Sequence, residues 1–177
     1  MSTDPRPVTD PLTLAALDTE RHVARSGWDQ PTRLFALVPT AELVAQEPQL
    51  AAGLETHDSI EGALSAVEQD DLPEASGVED LLARIAWPDQ VAGCALALER
   101  IVVPPGAERD LPEDSDAALQ AISEHPDRKD VRLLVAVTRD GSARCLLRQR
   151  DHDSDDRVAL GDDIAPGLVH ALRATFD

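Results

Sequence analysis

Apolar positions recur along the chain in short runs separated by proline, glycine and acid. Asp10-Pro11 reads as an N-cap followed by proline in the first helical turn. Leu14, Leu17, Val23 and Ala24 then suit an amphipathic helix that ends near Gly27. Arg33 to Val38 is a short apolar run between Pro31 and Pro39, which favours a strand. Thr40 can cap a short helix from Ala41 to Gln46, interrupted by Pro48. Ile60, Leu64 and Val67 fit a helix, but Ala63 to Val67 also fits an edge strand, and the strand is preferred. Asp70 to Gly77 reads as an acidic loop. Ser76-Gly77-Val78-Glu79 matches a capping box for a helix that carries Leu81, Leu82 and Ile85 and stops at Trp87-Pro88. Val91 to Val103 is the longest strand candidate, ended by Pro104-Pro105-Gly106, and its apolar first half belongs in the middle of a sheet. A short helix follows near Ser115 to Glu124 with Leu119 and Ile122 inward. The last helix starts about Pro166 and places Leu168, Val169, Leu172 and Phe176 on one side.

Val131 to Arg150 contains two β-rich runs around Arg139-Asp140-Gly141, a hairpin signature. A two-residue turn would put Val131, Leu133, Val135 and Val137 on the same face as Arg144, Arg148 and Arg150, against the rule that register keeps one face apolar. A three-residue loop with Gly141 left-handed and a bulge shifts the pairing by one residue and sets Val137, Val135 and Leu133 opposite Ala143, Cys145 and Leu147. The bulged loop is therefore expected. The element order predicts a single α+β domain over residues 11–177, after a flexible segment 1–10. Its sheet has about five strands, antiparallel or mixed, flanked by helices.

Composition narrows the function classes. The 177 residues carry 34 Asp plus Glu against 16 Lys plus Arg, a formal charge of -18. That excludes a nucleic-acid surface or an anionic membrane surface as the working face, since both need a basic field. The run Val91 to Leu98 is far short of the roughly 20 residues of a membrane span, and the polar start lacks the regions of a signal peptide. A cytoplasmic protein is expected. Acid concentrates in residues 61–130, with 17 acidic against 5 basic side chains, a field that would speed encounter with a basic partner, although a solvated acidic surface with no dedicated partner is the preferred reading. Lys129 is the only lysine. Cys94 and Cys145 sit in apolar runs and read as buried, reduced thiols. No tyrosine occurs, and Trp28, Trp87, Phe35 and Phe176 are too few for an aromatic binding platform.

Candidate chemistry lies at the hairpin and just beyond it. The bulged register collects Arg132, Arg144, Arg148 and Arg150 on one side, with Arg132 facing Arg148, so compensation must come from neighbouring carboxylates on the surface or from a bound anion. Asp151, Asp153 and Asp155 occupy the first, third and fifth places of a calcium loop, with His152 between them. Asp156 stands where that loop needs glycine, and Asp162 where it needs glutamate, so a solvated acidic loop is the alternative. His57-Asp58 and His152-Asp153 pair histidine with aspartate as metal phosphohydrolases do, on a chain whose strands do not suit that bundle. His22 reads as a helix-surface histidine and Trp28 as a core anchor. None of the motifs GxSxG, HExxH, GxxxxGK[ST] or GxGxxG occurs.

Glu20-Arg21-His22-Val23-Ala24, Gly27-Trp28-Asp29-Gln30-Pro31 and Arg33-Leu34-Phe35-Ala36-Leu37-Val38 resemble an actinobacterial family of uncharacterised proteins. Ala86-Trp87-Pro88-Asp89-Gln90-Val91-Ala92-Gly93-Cys94, Thr138-Arg139-Asp140-Gly141 and Pro166-Gly167-Leu168-Val169 extend the likeness over nearly the whole chain. The resemblance implies a cytoplasmic protein with one α+β domain and brings no catalytic residue with it. The expectation is thus a non-enzymatic, acidic protein-interaction module without a cofactor. The alternative is a small-molecule or metal-dependent enzyme that uses the 151–156 loop and its arginines.

Overall fold

A computed structural model describes residues 10–46, 63–69, 72, 75, 77–102, 114–124, 126, 128–154, 157–161 and 164–176. The expected flexible segment before Asp10, His57, Asp58, Ile60, Ser76, the Pro104–Gly106 stop and Asp155 lie outside the described residues, as do the side chains of Leu119 and Ile122.

The helices are α1 (Pro11–Ala24), α2 (Thr40–Gln46), α3 (Val78–Ala83), α4 (Ser115–Glu124) and α5 (Pro166–Ala174). The strands are β1 (Arg33–Pro39), β2 (Leu64–Glu68), β3 (Gly93–Val102), β4 (Lys129–Thr138), β5 (Ala143–Gln149) and β6 (Ala159–Gly161). They form one sheet in the order β2-β1-β3-β4-β5-β6, and every neighbouring pair is antiparallel. The fold is α+β. β6 is the strand that sequence patterning misses: three residues long, it offers no alternation to read.

Helices cover both faces. On one side α1 packs against Phe35, Leu37, Ala95, Ala97, Leu134, Ala136 and Leu146. On the other, Leu82 of α3 and Leu168, Val169 and Leu172 of α5 meet Leu34, Leu96, Leu133, Val135 and Val137. Double cover explains why the first six residues of β3 are buried without alternation.

One of two expected helix caps differs from expectation. Asp10 caps α1 as predicted, accepting from the Thr13 amide at 3.1 Å. At α3, however, Gly77 is the N-cap and supplies no side-chain bond. The N-cap thus lies one residue after the expected Ser76, and glycine has no side chain to form the box. The buried stripe of α1 is also not the one built on Leu14 and Leu17. It runs through Leu12, Ala15, Ala16, Thr19, Glu20 and Val23, and the small residues at its centre bring the helix close to the sheet.

The hairpin has the bulged register: Val137 pairs with Ala143, Val135 with Cys145 and Arg132 with Arg148. Thr138 N–H donates to Ser142 at 3.0 Å, Gly141 N–H donates to Thr138 at 3.0 Å, and Gly141 is left-handed at φ 94°. A side chain there is strained although space is open around it. Gly141→Ala is expected to lose about 1–2 kcal/mol, and Gly141→Asn less, as read from urea midpoints at unchanged slope. Equal midpoints for Gly141→Ala and wild type would refute the assignment.

Candidate functional site

The register sets Arg132 beside Arg148 on the sheet face that α1 covers, together with Leu134, Ala136 and Leu146. That face is not a solvated surface, so the expectation of surface ion pairs is corrected. Arg132 and Arg148 are 1% and 2% exposed, and a guanidinium removed from water needs matched partners. Arg148 receives them from Glu20 on α1. Its Nε donates to Oε2 and its Nη2 to Oε1, both at 2.7 Å, a bidentate fork in which Glu20 is itself buried. Its Nη1 donates to Asp153 at 2.8 Å.

Arg132 is held differently. Its Nη2 donates to the Gly27 carbonyl and lies 3.4 Å from Glu99 Oε2, while its Nη1 has no hydrogen-bond partner among the described residues. The Trp28 ring lies over this guanidinium at 4.3 Å and reaches Arg150 at 5.6 Å. Trp28 is therefore not a core anchor: half-buried, it roofs the cations, and its Nε1 donates to Asp153 at 3.0 Å. Glu99 fastens the loop below, accepting from the Asp29 amide at 2.9 Å and the Gln30 amide at 3.1 Å. Asp29, left-handed at φ 67°, accepts from both Nη atoms of Arg150 at 2.9 and 3.0 Å. That Arg150 fork holds the Asp29 carboxyl below its usual range.

Arg144 stands apart, near the start of α1. Its Nε donates to Thr13 Oγ1 at 2.8 Å and its Nη2 to Asp10 at 2.9 Å. The four candidate arginines thus share one sheet side, but only Arg132, Arg148 and Arg150 converge.

The candidate calcium loop begins as a single 3-10 turn, Arg150–His152. Asp151 faces Lys129 Nζ at 2.8 Å, which holds its carboxyl below the usual range. The Trp28 N–H and then Arg148 do the same for Asp153. His152 is exposed. Among the described residues, no three His, Cys, Asp or Glu side chains gather as a metal-binding group. His22 is exposed on α1, edge-on to Phe35 at 6.4 Å.

Sequence reasoning singled out the arginines and missed their counter-ions Glu20, Glu99, Asp29 and Asp10. One of them carried a signal: Glu20 falls on the stripe Leu12, Ala16, Val23, where a carboxylate is out of place unless paired.

Both cysteines are buried thiols outside any disulfide. The Thr175 hydroxyl donates to the Leu172 carbonyl at 2.6 Å and accepts from Trp87 Nε1 at 2.9 Å. The Cys94 Sγ lies 3.9 Å from it. Burial pushes the Cys94 thiol up from 9.0 to about 12. The folded state therefore holds its proton more tightly than the unfolded chain. That stabilisation is complete below about pH 9 and is lost as pH rises toward 12. Native protein at pH 8 is expected to react with a disulfide reagent over 100-fold more slowly than urea-unfolded protein. Rapid labelling of the native state would contradict this.

Over residues 12–177 the chain matches the family model described as PPA1309-like protein, and it belongs to that family. No curated protein and no solved structure gives a match.

Proposed function

We propose that this member of the PPA1309-like protein family is a non-enzymatic, acidic protein-interaction module of the cytoplasm. The observation that carries the reading is where the chemically capable side chains are spent. Arg148 is closed by Glu20 and Asp153, Arg150 by Asp29, Arg144 by Asp10, and Asp151 by Lys129. An external anion would compete with carboxylates tethered in place, whose effective concentration is in the millimolar range. A cation at Asp153 would have to displace both Arg148 and the Trp28 N–H. These groups tie α1, the 25–30 loop and the hairpin together, and the outward charge they leave is strongly negative, with a chain total of -18. No helix among the described residues is long and apolar enough to cross a membrane, which agrees with the cytoplasmic reading.

Cross-linking in native lysate, then calorimetry with each purified candidate, tests the proposal. A saturable complex with one defined protein supports it. Heat on adding millimolar calcium, or turnover of a small molecule abolished by Arg150→Ala, would replace it with the enzyme reading.

A further inference from the structure

A second open space lies away from Arg132, Arg148 and Arg150, at the hairpin end of the sheet. There the start of α1, the end of β1, α2, the start of β2, the Asp89–Ala92 segment and the hairpin turn enclose a cleft of about 530 Å³. Its floor is apolar: Pro11, Leu12, Pro39, Leu64 and Ala92. Its walls carry the carboxylates of Asp10, Glu42, Asp89 and Asp140 and one cation, Arg139.

That cation is already engaged. Arg139 Nε donates to the Val91 carbonyl at 2.6 Å and its Nη2 to the Pro88 carbonyl at 2.8 Å. Its guanidinium lies over the Phe176 ring at 4.6 Å. Asp10 is occupied by the α1 cap and Arg144. The Thr138 hydroxyl and then the Ser142 amide hold the Asp140 carboxyl below its usual range. Glu42 and Asp89 are exposed, and neither has an ion-pair partner among the described residues.

We propose that this cleft seats an arginine or lysine side chain of a protein partner. The inference rests on the interaction-module reading and names the chemistry of that partner. An aliphatic stem suits a floor of proline and leucine, and a cationic head suits a rim whose uncommitted groups are carboxylates. An anion would meet repulsion there, and a purely apolar segment would strip water from Glu42 and Asp89 without recompense. The surrounding acidic field speeds the approach of a basic surface.

The test is an amide NMR titration of the full chain with the blocked tripeptide Ac-Gly-Arg-Gly-NH2, and with Ac-Gly-Glu-Gly-NH2 as control. Expected are saturable millimolar shifts confined to Leu12, Ala92 and Asp140–Ser142, with the arginine peptide alone. Glu42→Lys/Asp89→Lys should weaken this binding at least tenfold. Glu79→Lys/Asp116→Lys, an equal charge change at exposed positions on α3 and α4, should leave it within twofold. Unsaturated shifts scattered over the acidic surface, or equal weakening by both double variants, would overturn the assignment. So would self-association of the protein that buries these same amides. A protein partner bound equally by wild type and Glu42→Lys/Asp89→Lys would remove the cleft and keep the module. Specific peptide binding with no protein partner would keep the cleft and remove the module.

Discussion

Glu20→Met will cost the fold about 3–5 kcal/mol, the loss expected when one partner of a buried ion pair is removed. Arg148 stays 2% exposed, and Asp153, whose side chain is 40% exposed, cannot replace a buried two-point contact. Arg148→Met strands the Glu20 carboxylate in the same apolar layer and will cost a similar amount. In the double variant Glu20→Met/Arg148→Met, neither charge of the buried pair remains, Asp153 keeps solvent and the Trp28 N–H, and methionine fills irregular space well. Its stability will fall between a small loss and a gain of about 1–4 kcal/mol relative to wild type. At about 2–4 °C per kcal/mol for a domain of this size, each single change lowers the melting temperature by about 6–20 °C. Urea melts of the four proteins at pH 7 check the cycle. Additive losses in the double variant would mean that the two residues do not act as a pair.

The second large effect concerns Gly93, at the head of β3, paired with Thr138 on one side and Leu37 on the other. A Cβ at this position would lie 2.3 Å from the Val137 carbonyl oxygen and 3.2 Å from two atoms of Thr138. The closest obstacle is backbone, so no rotamer relieves it, and the central β3–β4 pairing must open instead. Gly93→Ala is expected to cost about 3 kcal/mol, at the upper end of overpacking penalties. Because the clash is with a carbonyl, adding Thr138→Ala will not restore the loss. A Gly93→Ala protein with wild-type stability, or one rescued by Thr138→Ala, would refute this account.

The contrast between these two sites shows what the sequence makes legible. The hairpin register could be read before the structure because two constraints, an apolar face and a left-handed glycine, left one solution. β3 was visible as a central strand because its first half is apolar at every position. The elements on both sides of that strand were placed by proline punctuation. What lay hidden is tertiary. Local pattern says that Arg132 and Arg148 are neighbours, but not that a helix 128 positions away in sequence from Arg148 delivers Glu20 to it. The same blindness misplaced Trp28. An indole reads as core by composition, whereas here its face is occupied by two guanidiniums. The α1 stripe was misread because leucine draws attention, while close packing on a sheet selects Ala15, Ala16 and Thr19. The cleft at the hairpin end is assembled from five separate segments and has no linear signature.

The only two tryptophans stand on opposite sides of the sheet: Trp28 above the cations under α1, and Trp87 stacked on Phe176 at 6.2 Å beside α5. Each helical layer thus carries one native fluorophore in a chain without tyrosine. With Trp87→Phe the emission reports on the charged layer alone, and with Trp28→Phe on the apolar layer alone. Denaturation followed in the two single-indole proteins would then tell whether the layers detach in one cooperative step or peel away in sequence.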